Sequence, residues 1–386
     1  MRAIPVLRFA PQPGGVPPAE LRADGRAEWV RAPAGGEPLA VLRRRDEVLQ
    51  CITSRQWVMA GVTSDGEIRD HPLTGAERQD PDGGLLNMDP PAHRAFRNRI
   101  NGLFTRAATA ATRAEVEAAA VGLASGLRGR TTADLAAEYA DPFIATVVCR
   151  SLGLPLADWP VILTSSVNAF APVPGPGHLS RVDDGWQQIY QFYGHVIATG
   201  RAHPAGITAQ ITRALAGFTR SQTVHALANV SNGYPAARQS LRRILWELLT
   251  SHRADLDACL RGEWDWAGVT DKLLSTVALF PVDLPRRAAQ DTWLAGRRFA
   301  RGTIALPSLV AAAHDPRYPA PAKNIAFGYG PHACPGAALT RLWLTCALQV
   351  FFALYPHAHL TEEEPQWQGD SLAVPRQIIA TLGGKG

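Results

Sequence analysis

A glycine-rich loop with one cysteine, Phe327-Gly328-Tyr329-Gly330-Pro331-His332-Ala333-Cys334-Pro335-Gly336, runs directly into an apolar stretch from Ala337 to Leu354. This order delivers Cys334 to the start of a helix, where unpaired backbone N–H groups and the helix dipole favour thiolate over thiol. Pro335 suits the first helical turn, since its missing N–H is no loss there. Gly328, Gly330 and Gly336 let the backbone approach something flat and bulky. No second cysteine lies nearby, so a zinc or iron–sulfur site, which needs several clustered ligands, is not indicated. A single thiolate with an open opposite face suits haem iron. The plainer alternative is a structural cysteine buried in a Gly/Pro loop.

The chain of 386 residues is long enough for a large core, and no Pro/Gly/Ser linker divides it into two patterned halves. A hydrophobic fraction of 46% with 19% charged residues reads as globular. The first twenty residues contain no apolar run fit for a signal peptide or membrane anchor, so a cytoplasmic location without membrane attachment is expected. Five scattered cysteines, an odd number, argue against a disulfide framework and for a reducing compartment. The net charge of +5 is spread along the chain with no basic tract interleaved with aromatics, which argues against nucleic acid and for a basic face toward an acidic protein.

The loop resembles the haem-binding loop of the cytochrome P-450 superfamily, Phe-Gly-x-Gly-x-His-x-Cys-x-Gly, and matches it at every fixed position. Two more segments carry the likeness. Asp89-Pro90-Pro91-Ala92-His93-Arg94-Ala95-Phe96-Arg97 resembles the family's C-helix, and Arg286-Arg287-Ala288-Ala289-Gln290-Asp291 its Arg-x-Ala-x-x-Asp strand. The resemblance implies haem b with Cys334 as metal ligand and catalytic centre. It implies cofactor contacts from Phe327, Gly328, His332 and Gly336, and propionate contacts from His93, Arg97 and Arg286. It also implies a single haem domain over residues 1–386, mainly α with small β-sheets (α+β), the haem lying between a long I-helix and the Cys-bearing L-helix.

Local patterns place a strand at 39–42 and a helix at 45–52, then a mobile polar loop over 61–86. A helix start follows at 87–97, capped by Asp89. Helical patterns cover 107–155, 156–172 and 181–199, with a break at 172–177. One long helix is expected over 219–262, kinked where Pro235 loses a hydrogen bond and clashes with the preceding turn. Strand, turn, strand is expected from Arg286 to Thr303.

Here the chain departs from the family. The I-helix pattern Ala-Gly-x-Asp/Glu-Thr falls on Gly233-Tyr234-Pro235-Ala236-Ala237, so both the acid and the alcohol are missing, and a shift of one register does not restore them. Lys272 and Ser275 stand where the family has Glu-x-x-Arg, and the loop from Arg317 to Ala326 is short. Removing a whole buried charge cluster is near neutral whereas removing one member is costly, so neutral packing around Lys272 and Ser275 is expected.

The function implied is a haem-thiolate oxidoreductase, a monooxygenase-like enzyme tailoring a small-molecule intermediate of secondary metabolism. Its electrons would come from a ferredoxin and ferredoxin reductase, docked on a face that includes Arg94, Arg99 and Arg341. The missing acid–alcohol pair points to substrate hydroxyls, or to water held by Ser231, Asn232 and backbone freed near Pro235, within a distal pocket of Ser231, Asn232, Gly233, Ala236 and Ala237. Two other readings stay open. One is a haem-thiolate enzyme fed by peroxide or by a substrate with an activated N–O or O–O bond; the other is a non-catalytic haem-binding or docking module.

Overall fold

The computed structural model describes residues 4, 19–25, 28–31, 38–59, 88–169, 178–276, 282–318, 324–361, 366–368 and 374–383. The expected mobile loop at 61–86 and the break at 172–177 lie outside these residues.

The N-terminal part contributes β1 (Trp29–Val30), β2 (Leu39–Leu42), α1 (Arg45–Thr53) and β3 (Trp57–Met59). Next come α2 (Ala92–Ile100), α3 (Arg106–Ala110), α4 (Arg113–Ser125), β4 (Thr132–Asp134), a π-helical turn Ala136–Ala140 and α5 (Asp141–Leu152). Then follow α6 (Trp159–Ala169), α7 (His178–Thr199), α8 (Ile207–Ala214), α9 (Arg220–Leu249), α10 (Arg253–Leu260) and α11 (Trp266–Thr276). The C-terminal part holds β5 (Arg286–Ala288), β6 (Thr292–Leu294), β7 (Arg297–Phe299), β8 (Ile304–Pro307), α12 (Leu309–Ala313) and α13 (Ala337–Leu354). It closes with β9 (His359–Leu360), β10 (Trp367–Gln368), β11 (Val374–Pro375) and β12 (Ile379–Thr381).

The largest sheet has the order β1-β2-β8-β5-β3. Its centre is the parallel pair β2 and β8, in register Leu39↔Ile304 to Leu42↔Pro307. Both strands are buried along their whole length, which explains unbroken apolar runs in place of alternation. The helical body packs around α13, where every residue from Leu342 to Leu348 is buried. Tyr139 and Tyr355 anchor it by donating hydroxyls to the carbonyls of Ala347 and Ala124, at 2.7 and 2.8 Å. α13 is long and apolar enough to cross a membrane, yet its burial among α4, α5, α9 and α11 accounts for that composition.

Several boundaries differ from the local reading. α2 begins at Ala92, with Pro91 at its cap position. Asp89 therefore does not cap it; its carboxylate accepts the N–H of Met59 at the end of β3, at 3.0 Å. The stretch 107–155 is not continuously helical, because Thr132–Asp134 pairs antiparallel with β12, Thr132↔Thr381 to Asp134↔Ile379. That partner lies far along the chain, so no local periodicity announces it.

α9 starts with a reciprocal cap: Thr219 Oγ1 accepts the N–H of Gln222, and Gln222 Oε1 accepts the N–H of Thr219. It runs continuously through Gly233 and Pro235 for 30 residues, about 45 Å at 1.5 Å per residue. It does not reach 262. Thr250 leaves the helical region, with φ −125° and ψ −103°, and the N–H of His252 turns back to the Glu247 carbonyl at 2.7 Å. A separate helix, α10, follows.

Candidate haem-thiolate site

The Cys334 loop is closed by its own backbone. The N–H of Cys334 donates to the Phe327 carbonyl and that of Gly328 to the Ile325 carbonyl, both at 2.8 Å. Gly328 and Gly330 have φ of 69° and 76°, which side-chain-bearing residues rarely adopt. A Cβ on Gly330 would also meet Thr53 and the Ile52 carbonyl of α1 at 3.0 and 3.1 Å. The loop is therefore pressed against α1 on one side and feeds α13 on the other.

Cys334 is the exposed one of five free cysteines. Dense protein around its sulfur nonetheless makes desolvation the largest influence, pushing its pKa above the ordinary 9.0. The N–H groups of Gly336 and Ala337, with Arg97 and Arg341, pull the other way and do not win. Desolvation thus opposes the thiolate that the backbone N–H groups and the two arginines favour, and a bound cation would add to their side.

His93 and His332 come together as a tilted ring pair, centroids 4.1 Å apart. Burial lowers His93 from 6.5 to about 4, aided by Arg97 and Arg286. Burial, with Arg286, His93 and Arg97, takes His332 to about 2. Both rings are neutral at physiological pH. Arg286 is 2% exposed and donates through Nη1 to the Leu284 carbonyl at 2.6 Å. Three buried nitrogens in this cluster, His93 Nε2, His332 Nε2 and Arg286 Nη2, have no hydrogen-bond partner. Gathered in one place beside the loop, they could donate to an acceptor that the chain itself does not supply, although Arg286 Nη2 also faces the Asp283 carboxylate at 3.9 Å. Carboxylates on a porphyrin edge would satisfy them, so the residues present fit haem.

Arg97 reaches the same place with a different engagement. It donates to Asn101 Oδ1 at 2.8 Å and to the Ala333 carbonyl at 2.5 Å, so it braces the residue before the cysteine. Asp283 was not foreseen. Nine-tenths buried, it lies 3.9 Å from Arg286, and its Oδ2 sits against Gly328. Desolvation raises its pKa despite Arg286 and the N–H of Leu284.

On α9, Gly233 is exposed and a Cβ there would meet nothing within 4 Å. Ala236 is half-buried, and Ala237 is 2% exposed. Ser231 departs from the expected distal role. It is fully buried, accepts a hydrogen bond from Tyr193 of α7 and donates to the Leu227 carbonyl at 3.0 Å. Its hydroxyl is therefore not open to hold a pocket water. The side chain of Asn232 lies outside the described residues. Tyr234 packs on Trp343 of α13, centroids 5.9 Å apart, which joins the two helices. Among the described residues no cluster of three or more His, Cys, Asp or Glu could hold a metal ion.

The region of the missing Glu-x-x-Arg is not neutral. Lys272 pairs with Asp255 of α10 at 2.7 Å and lies over Trp264, 5.0 Å from its centroid. Arg341 pairs with Asp271 at 2.5 Å. The neutral packing expected around Lys272 is not found: its side chain is 43% exposed and charged groups pair there.

No protein-family model matches the chain. Among curated proteins it is similar to cytochrome P450-SU2 of Streptomyces griseolus, 27% identical over 74% of this chain and 73% of that protein. It is also similar to biflaviolin synthase CYP158A1 of Streptomyces coelicolor, 27% identical over 94% of this chain and 88% of that protein. Among solved structures, that of HinD with NMFT and NO superposes with a TM-score of 0.85 at 25% identity, covering 99% of this chain and 100% of that one.

Proposed function

Because this chain belongs to the cytochrome P450 superfamily and is a haem-thiolate oxidoreductase, we propose that it tailors a small-molecule intermediate of secondary metabolism, using haem b held through Cys334. The single observation that carries the site assignment is the group of three buried nitrogens without a hydrogen-bond acceptor, on His93, His332 and Arg286, gathered beside the Cys334 loop. The relation to biflaviolin synthase supports the tailoring role. The whole chain serves as one haem domain in the cytoplasm, as the odd number and scatter of its five cysteines favour.

Cys334 would hold the haem iron through its sulfur, and the bound group would supply the dioxygen chemistry. The residues around it perform simpler tasks. His93, His332 and Arg286 offer donors to two carboxylates; Arg97 fixes the Ala333 carbonyl and hence the approach of Cys334. Gly233 leaves room on α9. Ala236 and Ala237 offer only methyl groups, so neither donates a proton. Ser231 is engaged by Tyr193, and its carbonyl, which Pro235 deprives of its helical partner, is buried with it. A hydroxyl of the substrate then brings the proton.

The methyl groups at 236 and 237 equally favour a second reading, in which peroxide or a substrate with an activated N–O or O–O bond is the input and no proton relay is needed. Electrons for the first reading come from a ferredoxin with its reductase. Turnover assays under air and under argon, with and without NAD(P)H and redox partners, separate the two. The first reading requires product only with dioxygen and reductant together. Product formed without both selects the second reading, and absence of haem binding by Cys334 returns the chain to a docking module.

A further inference from the structure

Asp271 of α11, Asn324 ahead of the cysteine loop and Arg341 of α13 meet beneath Phe327. Asn324 Nδ2 donates to the Asp271 backbone carbonyl at 2.8 Å and to its Oδ1 at 2.9 Å. The other end of the same amide accepts the N–H of Ala326, at 2.8 Å, next to the first residue of the loop. Arg341 Nε donates to the same Asp271 Oδ1 at 2.5 Å. Its guanidinium lies over the Phe327 ring, 4.5 Å from the centroid.

We infer that Asp271, Asn324 and Arg341 form the clamp that fixes the Cys334 loop in this chain, with Asp271 a positioning residue acting through the other two. The clamp occupies the region where the family's Glu-x-x-Arg cluster is missing. Asp271 and Arg341 are 40% and 35% exposed, so as an isolated pair they would contribute little. Two features change that. Asn324 holds the carboxylate in place before Arg341 arrives, which reduces the entropy lost in pairing, and the planar guanidinium combines a charge-assisted hydrogen bond with stacking on Phe327. Both ends of the loop are thereby tied to one carboxylate: the entry through Asn324 and Ala326, and the exit through Arg341, seven positions after Cys334. A loop pinned at both ends presents its sulfur at a constant position.

This inference rests on the reading of Cys334 as the haem ligand, and the test separates the two. Purified haem-loaded wild type, Asp271→Asn, Arg341→Gln, the double variant and Lys272→Gln are compared. Haem transfer to excess apoglobin gives a rate, the ferrous CO spectrum gives the fraction that keeps thiolate ligation, and thermal unfolding reports the fold. Asp271→Asn and Arg341→Gln should each speed haem loss about tenfold, as expected for one charge-assisted hydrogen bond. Each should convert part of the CO complex to the form lacking thiolate, at an unfolding temperature near wild type. The double variant should be no worse than the worse single, and Asp271→Glu should recover part of the loss. Lys272→Gln, next to Asp271 but paired with Asp255, should leave both readouts unchanged. Unchanged haem loss and CO spectra in both single variants would overturn the clamp, as would additive effects or an equal effect of Lys272→Gln. A wild type without a thiolate CO band would instead overturn the ligand assignment itself.

Discussion

Tyr193 of α7 and Ser231 of α9 join two fully buried hydroxyls in one hydrogen bond across the helix contact. The direction is set by their surroundings. Ser231 donates to the Leu227 carbonyl, so Tyr193 must donate to Ser231. The two ends are therefore not equivalent. Tyr193→Phe leaves Ser231 with a partner and should cost about 1 kcal/mol, whereas Ser231→Ala strands a buried phenol and should cost about 1–3 kcal/mol. Denaturant unfolding of the two variants measures the asymmetry; a larger loss in Tyr193→Phe would show that Ser231 has another outlet.

The His93–His332 pair gives stability a pH dependence in the haem-free chain. Both are bases whose folded pKa lies below the ordinary 6.5, at about 4 and about 2. The unfolded chain therefore binds protons first as pH falls. Stability from the neutral pair is fully present above 6.5 and declines as pH drops through the window down to about 4 for His93, and further for His332. His93→Gln should flatten the upper part of this decline. Urea unfolding at stepped pH tests it, and an unaltered slope would remove His93 from the account.

Arg243 and Glu247 form a buried pair one turn apart, at 2.5 Å. The guanidinium lies over Trp246 and Trp367, 5.3 and 4.8 Å from their centroids. Among the described residues, Arg243→Ala would leave the Glu247 carboxylate facing the Ser251 hydroxyl. A loss of about 3–5 kcal/mol is expected, as for a buried pair broken on one side. A change below 1 kcal/mol in chemical denaturation would mean that water reaches the carboxylate in solution.

Arg94 and Arg99 are exposed on α2, while Arg341, first grouped with them, is engaged by Asp271. Reduction by an acidic ferredoxin should slow with Arg94→Glu or Arg99→Glu at low ionic strength, and the difference should shrink as salt is raised. Stopped-flow reduction across a salt series provides the check. Rates indifferent to both charge and salt would place the partner on another face.

The likeness to haem-thiolate enzymes was legible because its carriers are local. Phe327 to Gly336 closes its loop by hydrogen bonds within the stretch, and His93 and Arg97 share a face of α2 through helical spacing alone. The same holds for α1, β2 and the strands from Arg286 onward, where apolar runs and turn residues set the element. Absence was legible too: Ala236 and Ala237 cannot donate protons in any fold.

What the sequence could not determine was the choice among partners that local pattern leaves equivalent. Ser231 has the spacing of a pocket residue, yet Tyr193, 38 positions away, takes its hydroxyl inward. Helix-start geometry favours a Cys334 thiolate, yet desolvation opposes it while Arg97, 237 positions earlier, supports it. Asp271 and Arg341 are 70 positions apart, and Asn324 and Asp271 are 53 apart. Hydrogen bonding and desolvation depend on what packs across such intervals, so the replacement for the missing Glu-x-x-Arg exists only once α11, the short loop and α13 have come together.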